Sequence, residues 1–431
     1  MHQATPSWSE ALRYWLRLGF ISFGGPAGQI ALMHRELVEA RRWISEAHFS
    51  HALNFCMLLP GPEAQQLATY LGWRLHGAKG GIAAGALFVL PSMLILFGLS
   101  WAFVSLGSAP LIRDTLEGVN AAVLALIFSA LLRIGRRAIR SASLALLAVI
   151  AFTCARLDIS FIWVVLGTAL VGWLGHQRLP AQFPNAPGHG GTVEEALASC
   201  PLPTCPRPSL RRFVGITLAG LLLWWLPVFG VAAWLGWQSI QAQQGLFFSK
   251  ASLVTFGGAY AVLPYVAEQA VEHYHWITQA QMMNGLALAE STPGPLIMVL
   301  QFVAFVGAWQ QPGSLSPLAS ATLGSGITCW VTFAPSFLWI FLGGPHIETL
   351  RERPALGAAL AAVTAAVTGV ILNLGLDFGI KTLGIAEGRD FALNWTIALL
   401  SLIALQRFKL GVVPVLLGSA IAAAAGSWLI R

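Results

Sequence analysis

Two glutamates lie beside Pro-Gly-Pro triplets in apolar stretches of the chain, where a carboxyl group could take up a proton or bind a counter-ion. Glu63 directly follows Pro60-Gly61-Pro62, and Glu290 precedes Pro293-Gly294-Pro295 by three residues. Because Pro lacks an amide hydrogen and restricts the residue before it, each triplet must end one helix before the next begins. A helix N-terminus carries partial positive charge and unbonded amides, so these breaks favour the binding of a small anion.

A second motif offers the same chemistry. Phe23-Gly24-Gly25 and Phe256-Gly257-Gly258 interrupt apolar stretches, and paired glycines let a ligand approach the backbone closely. Polar side chains next to the Pro-Gly-Pro triplets are predicted to supply further hydrogen-bond donors. They are Gln65 and Gln66 after the first triplet, and Ser291 and Thr292 before the second.

The predicted substrate-binding residues are these motifs at both places, with the polar residues beside them. The set is Phe23, Gly24, Gly25, Pro60, Gly61, Pro62, Glu63, Gln65, Gln66, Phe256, Gly257, Gly258, Ser291, Thr292, Pro293, Gly294 and Pro295. An ionisable group in a membrane segment is costly, so Glu63, Glu290 and His51 are predicted as proton-coupling candidates. Structural alternatives remain open, since a carboxylate at position 63 also suits a helix N-terminus, and Gly and Pro also kink packed helices.

Composition places the chain in a bilayer. Of its 431 residues, 56% are hydrophobic and only 10% are charged, against about 25% charged residues in an ordinary soluble domain. Uncharged stretches approach or exceed the roughly 20 residues that cross a hydrocarbon core as a helix, and they lack the alternation of β-barrel strands. The stretches are residues 80–107, 118–132, 213–237, 315–344, 356–376 and 412–430. The sequence therefore predicts an all-α polytopic membrane protein.

Several classes of function are not predicted. The sequence contains no P-loop, no H-E-x-x-H and no nucleophile elbow, so no catalytic residue or cofactor is expected. Cys200, Cys205, His176 and His189 match no metal-ligand spacing, and no metal site is predicted. The net charge of +7 fits the basic loops of a membrane protein better than a nucleic-acid partner. Without a nucleotide site, transport would depend on an ion gradient or on exchange.

The chain contains an internal duplication. A shift of 233 positions takes Phe23-Gly24-Gly25 to Phe256-Gly257-Gly258, Trp43-Ile44 to Trp276-Ile277, and the first Pro-Gly-Pro to the second. After a short insertion, Pro91-Ser92 corresponds to Pro335-Ser336. In membrane carriers such repeats usually meet at the substrate site.

The second copy is predicted to be inverted in the membrane. A Pro- and Gly-rich segment, residues 176–212, is predicted to be a cytoplasmic linker, and one connecting transmembrane helix is predicted to follow it at residues 213–237. A single extra span inverts the orientation of the following copy in the membrane. Basic clusters also lie at opposite ends of the spans in the two copies. They include Arg133, Arg136 and Arg137 in the first copy, and Arg351 and Arg353 in the second. The positive-inside rule requires this exchange if the second copy is inverted.

The predicted organisation is therefore a first repeat over residues 1–175 and a second, inverted repeat over residues 238–431. Each repeat is predicted to begin with two re-entrant hairpins and to continue with four spans, with the N-terminus in the cytoplasm. The first-half hairpins are Trp8 to Arg35 and Glu46 to His76, and their counterparts are Phe247 to Glu272 and Thr278 to Trp309. The hairpins could also be pairs of thin spans. The broken helices are expected to meet near the bilayer midplane.

At these motifs the chain resembles the long-chain, two-domain chromate transporters. The resemblance is carried by FISFGGPAGQIALMHRELVEARRWISE, HALNFCMLLPGPEAQQLATYLGWRLHG and GALFVLPS in the first half, and by VTFGGAYAVLPYV, WIT and STPGPL in the second. It spans nearly the whole chain. One position departs within the repeat, because Leu296 stands where the first copy has Glu63. The two halves are therefore not chemically equivalent.

The resemblance implies a secondary transporter of the bacterial inner membrane that exports chromate from the cytoplasm and confers chromate resistance. It also implies coupling to protons or exchange with sulfate, and it is compatible with a homodimer. The residues alone indicate only a carrier for a small anion, working by alternating access. A sulfate or other oxyanion carrier, a channel and an intramembrane enzyme remain as alternatives.

Overall fold

The computed structural model describes residues 6–106, 110–184, 209–346, 354–383 and 389–430. Those ranges contain sixteen α-helices and no β-strand, which confirms the predicted all-α fold. The helices are α1 (Trp8–Ile21), α2 (Gly25–His34), α3 (Glu46–Cys56), α4 (Glu63–Leu106), α5 (Pro110–Ala138), α6 (Ala142–Arg156), α7 (Phe161–Arg178), α8 (Leu210–Leu235), α9 (Ile240–Val254), α10 (Ala259–Ala267), α11 (Gln279–Ser291), α12 (Val299–Gln310), α13 (Pro317–Gly343), α14 (Pro354–Leu383), α15 (Arg389–Gln406) and α16 (Val412–Ile430).

Five helices are long and apolar enough to cross a membrane. They are α4, α5, α8, α13 and α14, and shorter apolar stretches occur in α6, α12, α15 and α16. The connecting helix α8 presents most of its surface outward, with Leu218 64% and Leu222 62% exposed, as expected for a lipid-facing helix. The chain is therefore a multi-pass membrane protein. Most of the predicted linker, including Cys200, Cys205 and His189, lies outside the described residues, as do Arg351 and Arg353.

Short helices flank the breaks, as the motifs predict. The helices α1, α2, α3 and α11 contain 14, 10, 11 and 13 residues. At about 1.5 Å per residue they extend roughly 15–21 Å, well short of the ~30 Å hydrocarbon core. Helix α9 starts at Ile240, seven residues earlier than the predicted start at Phe247. The motif residues therefore lie where short helices end and begin, rather than inside continuous spans.

Helix α4 consists of two helical arms joined at a kink. Its 44 residues are interrupted by non-helical backbone at His76 and at Gly77, whose φ is 65°. Beyond this point the chain reverses direction, and its two arms lie against each other. A Cβ added to Gly72 would lie 2.5 Å from the carbonyl oxygen of Gly80 and 2.5 Å from Ala84 Cβ. Glycine at these positions lets the two arms pack closely, which a larger side chain would prevent.

The duplication is visible in the backbone. A π-helical turn occupies Arg35–Ala40 in the first half and Glu268–His273 in the second, at the same shift of 233 positions. Each turn is followed by a non-glycine residue with positive φ, 53° at Arg42 and 50° at His275. Local conformation is thus shared by the two copies around the Phe-Gly-Gly and Pro-Gly-Pro motifs.

The halves interlock at their long central helices. Helix α14 packs against α6 and α7 of the first half, and α5 packs against α15 and α16 of the second. Small residues let these helices approach closely: a Cβ on Gly172 of α7 would lie 2.5 Å from Ala362 Cβ and 2.8 Å from the Ala358 carbonyl oxygen of α14. Close packing of small residues is a principal attraction between helices in lipid. Neither half is therefore a separate packing unit.

Replacing Gly172 with Val is expected to destabilise the protein by about 1–3 kcal/mol, because the added side chain overlaps the backbone of α14. The measurement is the thermal unfolding midpoint of the protein purified in detergent. Gly167→Val is the matched control on the same helix, since nothing lies within 4 Å of a Cβ at Gly167. Equal midpoints for the two variants would contradict the proposed close contact between α7 and α14.

Candidate functional site

The structure brings the four breaks together in two crossed pairs. The amide of Gly61, in the first Pro-Gly-Pro, donates to the carbonyl oxygen of Thr255 at 2.8 Å. The amide of Gly294, in the second, donates to the carbonyl oxygen of Ser22, also at 2.8 Å. Thr255 and Ser22 directly precede the Phe-Gly-Gly motifs. Each Pro-Gly-Pro therefore contacts the Phe-Gly-Gly of the opposite half, and the reciprocity is that of a two-fold relation.

A serine from the opposite half covers each of these glycines. A Cβ on Gly61 would lie 2.8 Å from Ser336 Oγ, and a Cβ on Gly294 would contact Ser92. Gly61 and Gly294 also have positive φ, 122° and 105°, which side-chain-bearing residues rarely adopt. Both the backbone conformation and the close approach therefore require glycine.

These contacts correct one expectation about the site. The sequence predicts that unbonded helix-end amides at these breaks face an anion, but the amides of Gly61 and Gly294 are not among the unbonded ones, because each is bonded across the molecule. A backbone amide in a membrane interior must find an acceptor, and a carbonyl freed by the neighbouring break is available. The two Pro-Gly-Pro breaks therefore join the halves at these glycines.

The predicted polar donors are also largely engaged within the protein. Ser291 Oγ donates to the Leu288 carbonyl at 2.9 Å, and Thr292 Oγ1 donates to the Ala289 carbonyl at 3.0 Å. Because a hydroxyl has one hydrogen to donate, neither side chain is a free donor here, contrary to expectation.

The amides of Gln65 and Gln66 each contact the protein, but each has a second N–H to offer. Gln65 Nε2 lies 3.3 Å from Thr69 Oγ1, and Gln66 Nε2 donates to the Pro60 carbonyl at 2.7 Å. An amide group carries two N–H donors, of which one is used in each case. The two glutamines therefore keep part of the donor role that the sequence predicts.

Two buried serines near the breaks were missed by sequence reasoning. Ser92 and Ser336 are 0% and 1% exposed, and their hydroxyls have no hydrogen-bond partner among the described residues. Buried polar groups nearly always have partners, so an unpaired hydroxyl beside a break is a candidate ligand donor. The signal was present in the sequence, because Pro91-Ser92 recurs as Pro335-Ser336.

Other donors at the breaks remain outside the helical hydrogen-bond ladder. The first bond of α4 runs from the Gln66 amide to the Pro62 carbonyl at 3.0 Å, which leaves the amides of Glu63, Ala64 and Gln65 without a helical acceptor. The Phe-Gly-Gly breaks are open: nothing lies within 4 Å of a Cβ at Gly24, Gly25 or Gly258. Free space thus adjoins the Phe-Gly-Gly motifs, while the Pro-Gly-Pro glycines are packed.

The two candidate glutamates have different surroundings. Glu63 is half-buried at the first position of α4 and forms no salt bridge within the described part of the chain. Glu290 is 8% exposed in the last turn of α11, and Tyr260 at the start of α10 donates its hydroxyl to Glu290 Oε1. Helix α5, which carries Arg133, packs against α11. Glu290 is a residue that the sequence predicts, whereas Tyr260 is not, and the sequence places Arg133 in a basic cluster that sets topology.

His51, the third proton-coupling candidate, is half-buried on α3, three residues after His48 on the same helix. Among the described residues, no group of three or more His, Cys, Asp or Glu side chains could hold a metal ion. An apolar groove of about 610 Å³ lies between α8 and α13, lined by Val231, Trp234 and Trp330 among others. Its lining includes none of the break residues, so it does not belong to the candidate site.

Known proteins resemble this chain over most of its length. The chromate transporter family profile matches it twice, at residues 9–173 and 242–426. A chromate transport protein of Pseudomonas aeruginosa is 31% identical over 437 residues, covering 98% of this chain and 92% of the relative. A chromate transport protein of Cupriavidus metallidurans is 29% identical over 353 residues, covering 80% and 76%. No solved structure matches the chain.

Substituting Gly294 with Ala is expected to destabilise the protein more than substituting Gly258 with Ala. Both glycines have φ near 100°, 105° and 94°, but only Gly294 is packed, against Ser92. A side chain at so positive a φ costs roughly 1–3 kcal/mol at either position, and the contact with Ser92 adds to this cost only at Gly294. Thermal unfolding midpoints measure the difference. A Gly294→Ala variant as stable as Gly258→Ala would show that the crossed break is not tightly packed.

Proposed function

Since this chain belongs to the chromate transporter family, we propose that it is a secondary active transporter that exports chromate from the cytoplasm across the bacterial inner membrane and so confers chromate resistance. The support is the double match to the family profile and the relatives named chromate transport proteins. The single structural observation that carries a transport mechanism is the crossing of the four helix breaks at Gly61–Thr255 and Gly294–Ser22.

The anion site proposed here lies beside the crossed breaks. Its donors are the free amides at the start of α4, the glycine backbone of the two Phe-Gly-Gly motifs and the hydroxyls of Ser92 and Ser336. Helix N-termini suit a tetrahedral dianion because several amides point at one place and the helix dipole favours negative charge. The Pro-Gly-Pro glycines hold the geometry of the site, while Phe23 and Phe256 flank its open side. The other predicted site residues surround these donors.

Alternating access would follow from the crossed arrangement. The reciprocal contacts support two copies related by a two-fold axis, and an axis in the membrane plane makes them inverted repeats. In such carriers one group of helices rocks against the other around a fixed site. Here the breaks supply short helix ends whose hydrogen bonds can exchange partners without unfolding a long span.

The energy source proposed is an ion gradient or anion exchange, because the sequence has no nucleotide-binding motif. Glu63 is the leading proton-coupling residue of the first half, since it adjoins the free amides of α4 and forms no salt bridge in the described ranges. A carboxylate beside the anion opposes binding when charged and permits it when neutral. His51 and Glu290 are the other candidates.

A carrier or exchanger for sulfate or another oxyanion is the alternative function. Sulfate shares the tetrahedral shape and double negative charge of chromate, and backbone amides do not distinguish the central atom. The printed names of the relatives favour chromate.

Uptake of labelled chromate into everted membrane vesicles tests the proposed function. We expect uptake that saturates with chromate concentration and responds to an imposed proton gradient or to sulfate loaded inside. Vesicles from cells without the protein are the control. Flux that does not saturate and shows no counter-transport would contradict a carrier and indicate a channel, while sulfate uptake with no chromate uptake would favour the alternative carrier.

Replacing Glu63 with Gln is expected to flatten the pH dependence of chromate transport, because the neutral amide cannot exchange a proton. Initial transport rates measured across a pH series, at matched protein levels, report this. Glu46→Gln is the control, since Glu46, like Glu63, is the first residue of a helix, α3. A pH profile that Glu63→Gln leaves unaltered would show that Glu63 only stabilises the helix N-terminus.

A further inference from the structure

Two basic residues occupy equivalent positions on the helices that lead into the Phe-Gly-Gly breaks. Arg17 lies on α1 and Lys250 on α9, and the shift of 233 positions that relates the two copies takes one to the other. Each lies five residues before a carbonyl of the crossed breaks, that of Ser22 or that of Thr255. Both copies thus carry a cation at the same distance from their crossing.

Both cations lie on an exposed side of their helix. Most of α9 is otherwise buried, so Lys250 marks an opening in its packing. The exposed positions that the two copies share are Arg17, Phe20 and Gly24 in the first, and Lys250, Leu253 and Gly257 in the second. An exposed side therefore extends from each cation towards the first glycine of its Phe-Gly-Gly motif.

Lys250 lies level with the middle of a membrane-crossing helix. A Cβ on Gly245 would lie 3.1 Å from Ile327 Cδ1, and Thr255, just past the end of α9, is bonded to the glycine that Ser336 covers. Both Ile327 and Ser336 belong to the central part of α13, which is long and apolar enough to span a membrane. Lys250 lies between Gly245 and Thr255, so its backbone is level with that central part.

Arg17 lies at a similar depth in the first copy. Gly19, two residues further along α1, packs against the second arm of α4, residues 78–106. A Cβ on Gly19 would lie 2.5 Å from the Leu87 carbonyl oxygen and 2.8 Å from Pro91 Cγ. Leu87 and Pro91 are near the middle of that arm, which belongs to a helix that can cross the membrane.

Neither cation is neutralised by a carboxylate. Among the residues that the structure describes, neither Arg17 nor Lys250 forms a salt bridge. A charged side chain at membrane depth is costly unless it faces water, a partner or a ligand. The positive-inside rule favours cations on the cytoplasmic side only, whereas inverted copies place these two on approaches from opposite sides. The cation is also shared although other charges are not, since Glu63 has Leu296 as its counterpart.

We propose that Arg17 and Lys250 bind the transported oxyanion on its way to and from the breaks, Arg17 on the cytoplasmic approach and Lys250 on the opposite one. This rests on the proposed function and names side chains that hold the substrate in its pathway. A cation offsets the cost of bringing a dianion into a poorly polarisable interior, and both side chains donate several hydrogen bonds. Helical side chains point back towards the helix N-terminus, so each cation lies between one mouth and one break.

Transport kinetics measured from each side of the membrane test the assignment. In everted vesicles, whose cytoplasmic face is outward, Arg17→Gln is expected to raise the KM for chromate roughly tenfold, the effect of losing a charge-assisted hydrogen bond. In right-side-out vesicles loaded with unlabelled chromate, Lys250→Gln is expected to raise the KM for exchange of external labelled chromate by a similar factor. Each variant should leave the KM on the opposite side nearly unchanged.

Arg17→Lys and Lys250→Arg keep the positive charge and should retain a KM close to that of the wild type. Arg13→Gln is the matched control, because Arg13 is exposed one turn earlier on α1 and its counterpart, Leu246, carries no charge. It should leave the KM on both sides unchanged. A purely structural role would lower the unfolding midpoint of the glutamine variants without changing the KM of the folded protein, and that pattern would overturn the proposal.

Reaction with a membrane-impermeant, positively charged thiol reagent gives a test that does not depend on transport. Arg17→Cys and Lys250→Cys are expected to react, each from its own side of the membrane, and chromate should slow the reaction. Mass spectrometry measures the modification, with the wild type as the control for the five native cysteines. A cysteine that does not react at either position would show that the position faces lipid or packed protein, and the proposal would fail.

The outcomes separate this inference from the proposed function. If the wild-type protein transports no oxyanion, the proposed function fails, and this inference fails with it. If the wild type transports chromate and both glutamine variants keep the wild-type KM on each side, the function stands and only the assignment of Arg17 and Lys250 is overturned. Equal effects of Arg17→Gln on both sides would overturn the placement of the two cations on opposite approaches.

Discussion

Inside a bilayer, a backbone amide that loses its helical acceptor must find another, and at the centre of this molecule Gly61 and Gly294 find theirs in the opposite half. Pro-Gly-Pro ends one helix and Phe-Gly-Gly ends another, so each break frees the group that the other needs. The crossing satisfies both with two hydrogen bonds. It also obliges the two halves to fold together, because neither can close its own breaks.

The same constraint explains why glycine and serine occur where they do. A side chain at Gly61 or Gly294 would occupy the space of Ser336 or Ser92, and the positive φ angles exclude most other residues. The Phe-Gly-Gly glycines have a different environment, with open space at Gly24, Gly25 and Gly258. The packed breaks thus fix the halves against each other, while the open breaks leave free space beside the backbone.

Duplication supplied two copies of one scaffold, and sequence divergence made them chemically different. Glu63 has Leu296 as its counterpart, and Tyr260 and Glu290 have Ala27 and Met57. Both copies keep the breaks because the crossing needs two of each. The crossing places no such requirement on the polar and charged residues beside the breaks, and these differ between the copies.

The sequence by itself determined the all-helical membrane fold, the duplication and the positions of the breaks, because composition, segment length and the backbone limits of Pro and Gly act locally. It also indicated Glu290, since a carboxyl group in an apolar helix is conspicuous. Only the tertiary structure decided which donors are free. The amides of Gly61 and Gly294 are bonded to carbonyls that lie 194 and 272 positions away in the chain, from Gly61 to Thr255 and from Ser22 to Gly294. The hydrogen bond from Tyr260 to Glu290 joins α10 to α11 in a contact that no local pattern records, because hydrogen bonding depends on neighbours in space.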